Sequence, residues 1–191
     1  MSVSITNFDK NATIISEPRE RDGSKSSSAD LFAKIIYAGK EITASKVTGY
    51  EKWGVIHGLK MNLWRHETGD VSNSAMNSSA FLGMDEIEFA LPCSDVDLVA
   101  IETIAKGQTV DVTFMKTGNI NSHSVPIESF EFKYAQIVST FFLIQTAITP
   151  SITIRFKAKQ IEVKRFSYDE KTQKAAGQKV YFIDFVTNTS K

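Results

Sequence analysis

One cysteine, three histidines and four prolines are all that this chain of 191 residues contains. A lone Cys93 excludes an internal disulfide and a Cys-rich zinc site. It reads as a small core residue or a free thiol in a reducing compartment. The histidines supply no cluster: His66-Glu67 opens like a zinc-protease helix but has Asp70 where the second histidine belongs. His57 falls on the apolar face of a strand pattern, as a core or pore-facing residue, and His123 sits in a turn, NINSHS. A nucleophile elbow, a Walker loop and a dinucleotide glycine fingerprint are all missing. Glu86 and Glu88 share a strand face without a cleft to work in. The sequence therefore offers no catalytic residue, no cofactor-binding residue and no metal site, and no enzyme is expected.

Charge of one sign is also lacking, with 22 Lys+Arg against 22 Asp+Glu. That argues against a general nucleic-acid or anionic-membrane binder. No run approaches the length of a transmembrane helix. The start, MSVSITNFDKNATIISEPRERDG, has no basic segment followed by an apolar one, so no secretory signal peptide is expected. Synthesis in the cytosol is then the default, with any export by another route. The sequons at Asn11, Asn77 and Asn188 would matter only in a glycosylating compartment.

Present instead is ordinary globular material, 42% hydrophobic and 23% charged. Its length suits one domain with a core that needs no staples. Residues 1–29 read as a flexible arm, because the Ser-rich, charged stretch RERDGSKSSSAD has little to bury. Within the arm, Ala12–Ile15 could make a short edge strand. A single domain then spans residues 30–191. Period-two alternation recurs along it: Leu31–Tyr37, Val55–Trp64 (Val55, His57, Leu59, Met61 and Leu63 on one face), Ile87–Leu91, Val110–Phe114, Phe130–Tyr134 continuing to Phe142, and Ile152–Phe156. Val180–Val186 is a last aliphatic and aromatic run. The pattern predicts a mainly β fold, an antiparallel barrel or sandwich. One short helix breaks it. Ser94-Asp-Val-Asp97 has a capping form, Leu98, Ile101, Ile104 and Ala105 recur at helical spacing, and Gly107 can end the turn. That stripe predicts a helix docked over an open end of the barrel.

Neutrality overall conceals segregation. Between Glu67 and Glu102 there are eight acidic residues and no Lys or Arg, whereas Arg155–Lys179 has eight basic residues against three acidic ones. Three readings stay open: two solvated faces, strands that pair within the fold, or surfaces that meet between copies. Two long polar loops also stand out, Lys40–Gly54 (KEITASKVTGYEKWG) and Glu67–Ala80 (ETGDVSNSAMNSSA).

The order of these pieces resembles one family. DLFAKIIYAG opens the domain and is followed by a long loop ending at Trp53. SDVDLVAIETIAKGQTVDVTFMKTG gives a helix and then a strand, and FEFKYAQIVSTFF a long strand. The tail IRFKAKQIEVKRFSYDEKTQKAAGQKVYFIDFVTN closes on an aromatic run ending in Asp-x-x-Thr-Asn, Phe182 to Asn188. Together they are similar to the haemolysin-coregulated protein (Hcp) family, the inner-tube subunits of type VI secretion systems. The resemblance implies a phage tail-tube-like β-barrel with a flanking helix and no catalytic residues. It further implies hexameric rings stacked into a hollow tube, with sheath and spike or baseplate components as partners and effectors carried in the lumen. Localisation would be the bacterial cytoplasm, then release through the secretion system. The chain departs from the family in its long first segment and in a Ser/Asn-rich rather than Gly-rich Glu67–Ala80.

Within the first long loop, Lys46, Tyr50, Lys52 and Trp53 are candidate contacts to a neighbouring ring, since aromatic side chains in a polar loop are enriched at interfaces. A Trp53 folded back over the barrel is the other reading. Two alternative functions remain at this point: a tube subunit of a contractile phage-like particle, and a monomeric β-barrel that holds a small ligand.

Overall fold

The computed structural model describes residues 3–4, 31–43, 50–56, 58–67, 80–120, 123–144, 149–169, 175–187 and 189–190. The strands run in chain order β1 (Val3–Ser4), β2 (Leu31–Tyr37), β3 (Lys40–Glu41), β4 (Gly54–Val55), β5 (Gly58–Lys60), β6 (Asn62–Glu67), β7 (Ala80–Met84) and β8 (Ile87–Pro92). After the helix α1 (Val96–Lys106) come β9 (Thr109–Ile120), β10 (His123–Leu143), β11 (Ser151–Lys157), β12 (Gln160–Tyr168), β13 (Ala175–Asp184) and β14 (Thr189–Ser190). The fold is mainly antiparallel β with one short helix, as the alternation predicts. Val3 and Ser4 pair with β6; the rest of the expected arm, including Ala12–Ile15, lies outside the described residues.

Two long antiparallel ribbons organise the molecule. β11 and β12 succeed one another along the same edge of β10, pairing with Gln136–Leu143 and Glu128–Lys133 respectively. β9 takes the other edge of β10 as far as Gln136, and its own far edge pairs with β2. On the opposite side, β8 joins β11 and β5 joins β8, while β4, just before β5, pairs with β2. The path from β2 through β9, β10, β11 and β8 thus returns to β2, closing a barrel. β12 and β13 continue outward from it as a hairpin.

The core is aromatic. Phe89, Phe114, Phe132 and Phe156 are buried and meet mostly edge to face, at centroid distances of 5.0 to 6.2 Å. Such rings prefer offset or T-shaped contacts because their faces are negative and their edges positive. Ile35, Ile87, Leu91, Val112, Ile152 and Ile154 fill the remaining inward positions. This is a filled barrel interior.

Three expectations change at this level. Val55–Trp64 is not one strand but β4, β5 and the start of β6, because the chain leaves β2 for β8 and then a separate sheet; Ile56, off the expected face, is buried with Leu59 and Met61. His57 lies outside the described residues. Tyr134 does not join Phe130 and Phe132 in the core. β10 carries a bulge there, with Lys133 and Tyr134 opposing the single Asp111 between the pairs Phe132↔Val112 and Ala135↔Val110. Tyr134 adopts φ +53°, a conformation bulky residues rarely take. Its N–H donates to Asp111 Oδ1 (3.2 Å), and Lys133 Nζ meets Oδ2 at 3.3 Å. The bulge slips the alternation by one, so Ala135 and Ile137 point inward and Tyr134 faces solvent.

The helix is where Ser94 and Gly107 place it, but it turns a different face inward. Ser94 N–H donates to Asp97 Oδ1 (3.3 Å), half of a capping box, and Gly107 closes the far end in the left-handed region. Val96, Ala100 and Thr103 are buried, with the Thr103 hydroxyl donating to the Ala100 carbonyl (3.0 Å). These side chains are small enough to let the helix backbone lie close against β10, on which it packs. Leu98, Ile101, Ile104 and Ala105, the expected docking stripe, are left facing outward.

Candidate assembly surfaces

The Lys40–Gly54 loop begins with β3, which folds back on β2 through an Ala38-Gly39 turn with positive φ at both residues. Its returning limb is stapled to β2. Ile35 N–H donates to Thr43 Oγ1 (3.3 Å), and the Thr43 hydroxyl donates to the Lys52 carbonyl (2.9 Å). Tyr50 lies flat on Phe32, with ring centroids 4.4 Å apart and planes within 2°. Trp53 meets Tyr50 edge-on at 6.4 Å, and Lys34 Nζ stands 4.9 Å over the indole. The structure thus brings Tyr50, Lys52 and Trp53 together; Lys46 lies outside the described residues. Both rings are half-buried against β2, the folded-back arrangement, and Lys52 is the one of the three that stands exposed.

Lys52 pairs with Glu41 at 2.8 Å. The Lys52 hydrogen bond holds the Glu41 carboxyl below its ordinary range, and Glu41 in turn raises the ammonium. Farther along the sheet, Glu131 bonds to Lys133 (2.6 Å) and lies 3.8 Å from Lys164, which also meets Glu162 at 2.5 Å. Burial works against the Glu131 carboxylate. The Lys133 hydrogen bond and the charges of Lys133, Lys164 and Lys34 outweigh it, and the group stays below its usual range. This face is a ladder of alternating charge.

Two ion pairs join the segregated segments of the sequence inside the chain. β8 and β11 are neighbours, so Arg155 Nε meets Glu88 at 2.5 Å and Lys157 stands 3.7 Å from Glu86. Other members of the two segments pair outside the segregation, Arg165 with Glu128 at 2.9 Å and Glu102 with Lys106. For Arg155 and Lys157 a pairing within the fold is realised.

Sequence reasoning passed over two other surfaces. One is the outward face of α1, where Leu98 (72% exposed), Ile101 (49%) and Ile104 (38%) stand in solvent. The signal was the helical stripe itself, assigned to the core. The other is the β12–β13 hairpin. From Ala175 to Tyr181 every residue of β13 is exposed, and Val180 (47%) and Tyr181 (52%) lie on opposite faces of the strand. Only Ile183, opposite Ile161, reaches the core. The edge of β13 away from β12 is unpaired from Ala175 to Phe182 among the described residues. Among those residues no group of three or more His, Cys, Asp or Glu could hold a metal, and no helix is long and apolar enough to cross a membrane.

A closed antiparallel barrel with one flanking helix and a projecting hairpin defines the fold class. Its solved examples include Hcp and type VI secretion proteins. A type six secretion system protein superposes with TM-score 0.72 at 15% identity, covering 86% of this chain and 100% of its own. Hcp1 from Salmonella typhimurium gives TM-score 0.63 at 10% identity over 85% and 99%. A type VI secretion system effector from Yersinia pestis gives 0.59 at 13% over 81% and 99%. The chain therefore has the Hcp fold. No protein-family model matches the sequence, and no curated protein matches it.

Proposed function

We propose that this chain is the inner-tube subunit of a type VI secretion system. Copies form hexameric rings that stack into a hollow tube, driven out by a contractile sheath with effectors in its lumen. The observation that carries the reading is the superposition on a type six secretion system protein over that protein's full length. Two features of the molecule support it. The barrel interior is filled by Phe89, Phe114, Phe132 and Phe156, which leaves the ligand-binding alternative without support. Large apolar side chains stand exposed on two separate surfaces, as a subunit built to repeat requires.

Mass measurement after size exclusion, with negative-stain imaging, tests the ring. The expected result is six times the 21.2 kDa of one chain and an open centre. A species of 21.2 kDa at high protein concentration would refute the assignment. For export, release into the medium should cease when the sheath subunit of the same cell is deleted.

We place Tyr50, Lys52 and Trp53, with Lys46, at the contact between stacked rings. Trp53 is held ready by Lys34 and Tyr50 rather than extended, and Lys52 presents its charge outward. Trp53→Ala is expected to keep the ring mass and abolish tubes. Unchanged tubes would remove the loop from the contact.

A further inference from the structure

Two sets of exposed apolar side chains lie on opposite stretches of the same long strand. Leu98, Ile101 and Ile104 stand exposed on the outward face of α1, which packs on β10. This face belongs to the C-terminal stretch of β10, because α1 runs between Pro92, which reaches Leu143 through Ser151, and Thr109, which pairs with Gln136. The second set, Val180 and Tyr181, belongs to the hairpin, which joins β10 only at Glu128–Lys133. Roughly 30 Å of strand separates the midpoints of the two attachments at about 3.4 Å per residue. The hairpin then runs away from the helix, so one copy cannot cover its own face with its own arm.

Each set carries an unused charge, and the signs are opposite. Lys179 shares a face of β13 with Tyr181 and has no ion partner among the described residues; its cross-strand neighbour Arg165 already engages Glu128. Asp95, one helical turn before Leu98, caps α1 without a side-chain hydrogen bond and has no ion partner among the described residues. Apolar surface flanked by acid on one part of the molecule thus matches apolar surface flanked by base on another. A surface pair of this kind makes a head-to-tail contact, which closes into a ring when the rotation per copy allows it.

We propose that the β12–β13 hairpin of one copy seats on the outward face of α1 of the next, with Tyr181 against Leu98 and Ile101, and Lys179 facing Asp95. The pairing rests on the ring reading above and specifies which surfaces build it.

The test uses two full-length variants, each spoiling one side. Leu98→Glu damages the face and leaves the hairpin intact; Tyr181→Glu damages the hairpin and leaves the face intact. Both residues are exposed in the single chain, so circular dichroism and melting should match a folded barrel. Each variant alone is expected at 21.2 kDa, and an equimolar mixture at high concentration is expected to give a dimer of twice that mass, because one sound hairpin meets one sound face and nothing further can add. Wild-type rings together with a mixture that stays monomeric, or variants that still form full rings, would overturn the pairing. A wild-type chain that is itself monomeric would instead overturn the ring reading. Should either glutamate variant fail to fold, charge reversal serves: Lys179→Asp or Asp95→Lys alone should weaken assembly about tenfold. The two reversals in one chain should restore it, and failure to restore would contradict the contact.

Discussion

The barrel and the hairpin are made of the same residue types and treat them in opposite ways. In the barrel, Phe114, Phe132 and Phe156 are fully buried and satisfied by one another within a single chain. In the hairpin, Val180 and Tyr181 occupy regular strand positions yet remain half in solvent, because only Ile183 has a core to reach. Outer α1 behaves like the hairpin: its inward residues are small, and its large ones face out. The difference teaches that one part of this fold is complete alone, while the other leaves apolar surface that the proposed ring would cover with a neighbour. Burial inside the chain and burial between copies draw on the same hydrophobic term.

The strongest way to break the comparison is to damage the self-sufficient half. Phe132→Ala should cost about 3–5 kcal/mol, the transfer of a ring plus the cavity left among Phe114 and Phe156. Urea unfolding measures it, and a loss below about 1 kcal/mol would mean that the core is looser than described. Gly83→Ala comes next. A Cβ there would stand 2.3 Å from the Trp64 ring, which lies across Gly83 with its Nε1–H donated to Asp85 (3.0 Å). The ring must move, at a cost of about 1–3 kcal/mol and with a change in tryptophan fluorescence.

Arg155→Met sharpens the comparison from the charged side. Arg155 is half exposed but Glu88 is mostly buried, and the pair lies within one chain, so its loss should cost about 1–2 kcal/mol and leave the ring mass unchanged. Rings that fall apart in this variant would return the segregated charges to the contact between copies. The smallest effect concerns Cys93. Burial first, and then the Asp97 carboxylate beside it, push the thiol up to about 11. The thiol is therefore protonated at pH 8, and a disulfide reagent should label it more slowly than free cysteine. Asp97→Asn should speed the reaction by lowering that pKa.

Much of the barrel was legible because its strands are amphipathic by simple alternation. The alternating residues of β8, β9 and β11 face the core as read, and β2 and Gly107 fall where the pattern put them. The features that escaped did so for physical reasons. The bulge at Lys133-Tyr134 shifts register by one residue, and no composition signal announces a bulge when the left-handed residue is Tyr rather than Gly. The helix misled because apolar spacing states which face avoids water without stating whose surface covers it. Leu98, Ile101 and Ile104 looked like core, while the face that does pack is Val96, Ala100 and Thr103. For the loop, the sequence named Tyr50, Lys52 and Trp53 but could not show that in the single chain Tyr50 stacks on Phe32 and Lys34 stands over Trp53, since those partners lie on a strand far from them in sequence.

Hydrogen exchange on assembled wild-type protein and on the monomeric Leu98→Glu variant tests the division most directly. Amides of β9, β10 and β11 should be protected alike in both. Those of β13 from Ala175 to Phe182 should be protected in the assembly and exchange rapidly in the variant, although the substitution lies on the helix. Equal protection of β13 in the two samples would show that the hairpin needs no neighbour, and would contradict the account.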